Sequence, residues 1–245
     1  MVSWQSMVVI ECYTISDIIQ AIILVIDPTY VATRWRGTLL TMAAALVVST
    51  FNIVLASHLS WCEGLFATVH FFAFVPVLVG LVIMAPKPSA AEVFSNFTQT
   101  GGTWPDTSLA LFVGQVSNLF VMLGSDGVAH LAEEIEDAGV VLPQSMLWSY
   151  YVNAPLTLLM AVVYCFSITS VERLEYYHTI RWLLTTTDTV DHRVLSSPMP
   201  FVLVFQDAFV DTNPTVAFTS VVLSLIIVVA VSSLAATSRL IYAFA

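Results

Sequence analysis

The sequence predicts an all-α polytopic membrane protein with about six transmembrane helices. Of its 245 residues, 58% are hydrophobic and only 10% are charged, and the mean hydropathy is +0.88. A soluble domain carries about a quarter charged residues, so this chain has too few charges to cover a water-exposed surface. Apolar runs such as AIILVI and SLIIVVAV are continuous and do not alternate with a period of two. Continuous runs favour spanning helices over barrel strands.

Six stretches have the length and hydrophobicity of a membrane span, which requires about 20 residues per helix. We predict spans at residues 4–26, 38–57, 63–85, 107–138, 144–168 and 213–244, the fourth of them broken at 124–127. No internal repeat is recognisable, so we treat 1–245 as a single domain.

The charge and the cysteines exclude several functions. A net charge of -10 argues against a nucleic-acid partner, because phosphates require a basic surface. Cys12, Cys62 and Cys165 have neither disulfide-framework nor metal-ligand spacing. The string HLAEE lacks the second histidine of a zinc-protease motif. We therefore predict a protein that is not an enzyme, with no catalytic residue, no metal site and no cofactor.

The stretch LGSDGVAHLAEEIEDAGVVLP at 123–143 interrupts the fourth apolar run. Each of its first two glycines weakens a helix by about 1 kcal/mol, and serine and aspartate compete for backbone hydrogen bonds. At bilayer depth such a break is tolerated where it lines a cavity or is buried in protein. Its half-helix ends attract anionic and cationic ligand groups. Alternatively, Asp126 is the N-cap of a surface helix that follows a span ending at Leu123.

Beyond the break, apolar residues recur at helical spacing, and two acidic residues, Glu133 and Glu134, lie off that stripe. A carboxylate there can belong to a gate or a proton path. Alternatively, these carboxylates lie on a solvated acidic face of the helix. The sequence pattern does not decide between the two interpretations. His130 precedes Glu134 by four residues, so the two can meet on one helix face.

Several motifs share a pattern with one family. LGSDGVAHLAEEIEDAGVVLPQSM carries a glycine–small–aspartate–glycine string, an acidic pair and a VVP-like string. RWRGTLL at 34–40, CEGL at 62–65, MPFVLVF at 199–205 and SRLIYAFA at 238–245 follow in the same order. In these motifs the chain resembles fungal amino acid, choline and GABA permeases of the amino acid–polyamine–organocation (APC) superfamily, and the resemblance covers most of the chain.

The resemblance implies a partial leucine-transporter-like fold, corresponding to about the third to eighth family helices. It implies secondary transport of a small amino acid, GABA or a choline-like amine, coupled to protons, by alternating access. The stretch 173–192 departs from the family pattern and is a candidate insertion. Tyr13 is expected to face the solute. The unwound solute-binding segment and its flanks are expected to be Leu123, Gly124, Ser125, Asp126, Gly127 and Val128.

Two cues for orientation disagree. Most lysines and arginines lie in the connections 27–37, 86–106 and 169–212, which places these in the cytoplasm. Asn96, however, begins the glycosylation sequon Asn-Phe-Thr, and the resemblance places its loop outside the cell. We follow the resemblance, so we expect a multi-pass protein of the plasma membrane with Asn96 as a glycosylation candidate.

Glu11 and Asp17 lie inside the first span, where the resembled family has mostly small apolar residues. A charge at mid-membrane costs about 2.5–3.5 kcal/mol on insertion scales. We expect these acids to be protonated, buried against a partner helix or lining a water path.

The family's first helix, which carries much of its solute site, has no counterpart in this sequence. A second interpretation therefore stays open: a truncated or mis-predicted permease fragment without transport activity, acting at most as a membrane-embedded interaction partner.

Overall fold

The computed structural model describes residues 2–95, 106–120, 124, 126–168 and 199–243 of the chain. All regular structure in this part is helical, which confirms the predicted all-α class there. The helices are α1 Val2–Ile26, α2 Arg34–Val54, α3 Leu59–Met84, α4 Ala90–Ser95, α5 Thr107–Phe120, α6 Ala138–Ser167, α7 Pro200–Phe209 and α8 Thr212–Ala243, with 3₁₀ helices at Ala56–His58 and Gly127–Glu134.

Five of these helices, α1, α2, α3, α6 and α8, are long and apolar enough to cross a membrane, with mean hydropathies of 1.4 to 2.5. The described residues therefore support an integral multi-pass membrane protein. Within the described residues the fourth predicted span is represented by α5 and the 3₁₀ helix Gly127–Glu134. Helix α5 has 14 residues and rises only about 21 Å, which is short of a hydrocarbon core about 30 Å thick.

Helix α8 lies at the centre of the fold and packs against α1, α2, α3, α7 and the 3₁₀ helix Gly127–Glu134. Its buried side is rich in small and hydroxyl residues, which let membrane helices approach closely. The hydroxyls of Thr215, Thr219 and Thr237 donate to the carbonyl oxygens four residues earlier, so they stay satisfied inside the protein. The buried residues of this kind are Thr215, Thr219, Ala230, Ser233, Ala235, Ala236 and Thr237.

Helix α1 packs along α8 and α2, and polar residues in its middle part are buried. The exposed residues of this helix include Val9 and Ile10. Polar residues that are buried beside exposed apolar ones are typical of a membrane helix that turns its polar side chains toward the protein interior. The buried polar residues of α1 are Glu11, Ser16, Asp17 and Gln20.

A second packed region joins α3, α7 and α8. The rings of Phe209 on α7 and Phe218 on α8 stack with centroids 4.7 Å apart, and Phe205 lies edge-on to Phe218 at 6.4 Å. Gly80 of α3 lies directly against Phe218, since a Cβ atom there would come within 2.6 Å of the ring. Helix α7 contains most of the MPFVLVF motif, so this motif forms a short helix packed on α8.

Helix α6 begins at Ala138, six residues before the predicted start of the fifth span at 144. The segment expected to continue the fourth span is instead the 3₁₀ helix Gly127–Glu134, which ends before α6 starts. Pro143 consequently lies inside the first turns of α6. The predicted insertion at 173–192 and the glycosylation candidate Asn96 lie outside the described residues.

Candidate functional site

A turn follows α5 and leads into the 3₁₀ helix Gly127–Glu134. Gly124 adopts φ +95°, a backbone conformation that residues with a Cβ atom rarely adopt. The amide of Gly127 donates to the carbonyl of Gly124 at 3.0 Å, and the amide of Ala129 donates to that of Asp126 at 2.9 Å. Of the predicted unwound residues, Leu123 and Ser125 lie outside the described residues, whereas Gly124, Asp126, Gly127 and Val128 lie in this turn or at the start of the 3₁₀ helix.

The carboxylate of Asp126 reaches across to α1. Asp126 occupies the N-cap position of the 3₁₀ helix, but its side chain makes no capping hydrogen bond. The indole Nε1 of Trp4 instead donates to Asp126 Oδ2 at 3.3 Å. The side chain of Asp126 is nevertheless 58% exposed, whereas Trp4 is buried. Asp126 therefore occupies the N-cap position of the alternative interpretation without a capping side-chain bond, and its carboxylate is held by Trp4 and exposed on the other side.

His130 completes a three-residue cluster with Trp4 and Asp126. Its Nε2 lies 3.7 Å from Asp126 Oδ2, one helical turn away, and its ring meets the Trp4 ring edge-on with centroids 5.3 Å apart. His130 Nε2 is buried and has no hydrogen-bond partner among the described residues. The cluster places an aromatic surface and an imidazole directly beside the open carboxylate.

Close packing fixes the position of the turn against α1. A Cβ atom on Gly127 would come within 3.3 Å of the Trp4 ring, so glycine is what allows this approach. Trp4 also packs against Ala236 and Leu240 of α8. The turn is therefore held against the first turn of α1 and the last turns of α8.

Of the other predicted site residues, Tyr13 lies away from this turn. Tyr13 lies nine residues after Trp4, which places it about 13 Å along α1 and on the opposite face of the helix. Tyr13 is half exposed there. Glu133 and Glu134 lie in the last part of the 3₁₀ helix, and their side chains are outside the described part.

Sequence reasoning missed Trp4 and gave His130 a different neighbour. The i, i+4 spacing of Asp126 and His130 is a local signal that could have identified their contact. The contact of Trp4 with Asp126 joins residues 122 positions apart, and no local pattern indicates it.

Comparisons with known proteins point in one direction. The chain is 26% identical over 156 residues to the transmembrane transporter swnT of Metarhizium robertsii, covering 64% of this chain and 31% of that protein. It is 22% identical over 219 residues to a protein of Macrophomina phaseolina named as an amino acid/polyamine transporter, covering 89% and 44% of the two chains. It is 24% identical over 127 residues to an uncharacterized amino-acid permease of Schizosaccharomyces pombe, covering 51% and 23%.

The chain is similar to membrane transporters. The matched part spans less than half the length of each of these curated relatives. No protein-family profile matches the chain, and no solved structure matches it. The names of the relatives and the five candidate spans together support membrane transport and suggest a protein other than an enzyme.

Proposed function

We propose that the chain is part of a secondary transporter that carries a small amino acid, GABA or a choline-like amine by alternating access, coupled to protons. The observation that carries the proposal is the open carboxylate of Asp126 at a helix break, held against the indole of Trp4. All of these solutes carry a cationic nitrogen. A carboxylate attracts that charge directly, and the hydrogen bond from the Trp4 indole holds the carboxylate in position.

The carboxylate end of an amino acid or GABA requires donors of the opposite sign. The start of the 3₁₀ helix is the positive end of a helix dipole, and because the amide of Gly127 already donates to Gly124, the amide of Val128 is the proposed donor to the solute. Gly124 has no side chain, and a Cβ atom there would have no neighbour within 4 Å, so a solute can approach this backbone closely. Leu123, Ser125 and Tyr13 remain predicted contributors to the site, and Glu133 and Glu134 remain predicted gate or proton-path residues.

Radiolabelled uptake in a permease-deficient yeast strain tests this proposal. We expect the Asp126→Asn variant to lose at least about tenfold in uptake, because a lost charge-assisted contact is worth about 1.5–3 kcal/mol. Trp4→Phe removes the N–H donor and keeps an aromatic ring, so a smaller loss in the apparent affinity is expected. Trp148→Phe is the matched control, since Trp148 is 69% exposed on α6. Equal uptake by Asp126→Asn and the wild-type chain at equal surface level would contradict the proposal.

A second candidate function is a membrane-embedded interaction partner without transport activity of its own. It is favoured by the limited share of each relative that the chain matches. This candidate predicts stable membrane insertion with uptake no higher than in the vector control. Uptake above that control for any of the three solute types would eliminate it.

For the membrane and the orientation, we propose the plasma membrane with the 86–106 connection outside. Glycosidase treatment of the protein from yeast should then increase its mobility, and the Asn96→Gln variant should show no such change. If Asn96 is unmodified and protease added outside intact cells does not cleave this loop, the loop lies inside and the proposed orientation is wrong.

A further inference from the structure

Glu11 lies near the middle of α1 with an incomplete set of hydrogen bonds. Its side chain is only 8% exposed. The hydroxyl of Ser233 on α8 donates to Glu11 Oε1 at 2.8 Å. The second oxygen, Oε2, is buried and has no hydrogen-bond partner among the described residues. One oxygen of this carboxyl group therefore accepts a hydrogen bond, and the other accepts none from the described residues.

The free energy required to bury the Glu11 carboxyl group depends on its protonation state. A carboxylate in a membrane interior requires several donors or a cation to offset the loss of hydration. One serine hydroxyl supplies a single neutral hydrogen bond, which is too little for a full charge. A neutral carboxyl group needs fewer hydrogen-bond donors and no cation, because Oε2 then carries its own hydrogen while Oε1 still accepts from Ser233.

We propose that Glu11 is a proton-binding site of the folded protein, with the proton on Oε2 and with Ser233 fixing Oε1. The ligand of this site is a proton, and α1 and α8 supply the residues. Binding of the proton does not depend on the transport activity. Its role in driving transport rests on the proposed function above.

The groups around Glu11 are consistent with a single acid that gains a proton. On α8, Ser232 is adjacent to Ser233 and donates to Glu63 Oε2 of α3 at 2.9 Å, so the serine pair joins two acids. Other ionisable residues lie on α1 or on the elements packed against it. They include Cys12, Tyr13, Asp17, Arg34, Arg36, Asp126, His130, Arg239 and Tyr242. The arginines of α2 lie in its first turn, and Arg239 lies six residues beyond Ser233 on α8.

The site also has a direct structural link to the turn at Asp126. Trp4 and Glu11 are seven residues apart, which places them on one face of α1 at a distance of about 10 Å along its axis. Trp4 contacts Asp126, and Glu11 contacts Ser233, so both ends of this face are held by other elements. A change in the protonation of Glu11 alters the α1–α8 contact that also positions Trp4.

Infrared spectroscopy of the purified full chain tests the proposal directly. A protonated carboxyl group has a C=O stretch that a carboxylate lacks. At about pH 7, well above the usual glutamate value of about 4.3, the wild-type spectrum minus the Glu11→Gln spectrum should contain this band. Difference spectra without such a band at neutral pH would show that Glu11 is charged and would overturn the proposal.

Two further variants keep the test decisive if Glu11→Gln does not fold. Ser233→Ala removes the donor that favours the charged form, so the band should persist to higher pH than in the wild type. Ser233→Thr keeps the hydroxyl and should leave that pH nearly unchanged. Asp17→Asn is the matched control, because it removes another buried acid of α1 and should leave the Glu11 band in place. If the pH dependence of the band is the same in Ser233→Ala as in the wild type, the proposal is also contradicted.

Uptake measurements separate this inference from the proposed function. If the chain transports a solute, Glu11→Gln should abolish the dependence of uptake on external pH, while Asp17→Asn should retain it. A Glu11 band without uptake of any tested solute would refute transport by the chain and leave the proton site intact. Uptake whose pH dependence survives Glu11→Gln would refute the role of this proton in transport.

Discussion

Helices α8 and α6 are similar in length, but they occupy very different environments. Helix α8 has 32 residues, nine of them buried, whereas α6 has 30 residues with Ser167 as its one described buried residue. The exposed residues of α6 include Leu147, Trp148 and Tyr151. Small and hydroxyl residues make up most of the buried side of the helix at the centre of this fold. Substitutions facing α8 should accordingly cost far more than matched substitutions that face away from it.

The largest expected effect is at Gly80 of α3. Its Cβ atom in Gly80→Ala would come within 2.6 Å of Phe218 on α8, and that ring is held by stacking on Phe209. We expect a destabilisation of about 1–3 kcal/mol, as for other overpacked sites. The midpoint temperature of unfolding in detergent should fall.

Gly64 provides the matched control on the same helix, because a Cβ atom there would have no neighbour within 4 Å. Gly64→Ala should be neutral or stabilise the helix by up to about 1 kcal/mol. Similar midpoints for the two alanine variants would mean that α3 does not pack on α8 as described.

A smaller effect is expected at Asn52 of α2. Its side-chain amide donates to the carbonyl of Val231 on α8 at 3.1 Å and thereby joins two helices. Hydrogen bonds between membrane helices average about 0.6 kcal/mol and reach about 1.7 kcal/mol. Asn52→Ala should lower the midpoint temperature of unfolding by a corresponding small amount.

Asn153 of α6 supplies the comparison. Its amide donates at 3.2 Å to Ser149 in the same helix, and the bond is exposed. Asn153→Ala should therefore leave the midpoint unchanged within error. If Asn153→Ala lowers the midpoint temperature more than Asn52→Ala does, the polar contacts of α6 stabilise the fold more than those made with α8.

The class of the fold could be predicted because hydropathy is a local property. Each of the five candidate spans is an apolar run that can be recognised without knowing its neighbours. The helix ends near 120–138 were harder. Glycine and aspartate indicate where an α-helix weakens, but they do not tell whether a 3₁₀ helix or a new α-helix follows, and here both occur in succession.

The candidate site was predictable only in its local part. Gly124 and Asp126 stood out because their residue types are unusual inside an apolar run. The partner of Asp126 did not, since Trp4 is 122 positions away, and the donor to Glu11 is 222 positions away. Both contacts depend on α1 packing against other elements, and that packing is a property of the whole fold.

The smallest expected effect lies outside both helices, at Asp27 just after α1. The Thr29 hydroxyl and backbone amide donate to Asp27 Oδ1 at 2.6 and 2.9 Å, and these bonds hold the pKa of this carboxyl below its usual range. A lowered folded-state pKa contributes stability above the unfolded value of about 3.9 and loses it as the pH falls through the folded value. Thr29→Val removes the hydroxyl donor and keeps the side-chain shape. The small difference in unfolding midpoint between wild type and Thr29→Val should therefore be present at neutral pH and shrink in acid, and a difference that grew in acid would show that the hydroxyl does not stabilise the charged carboxylate.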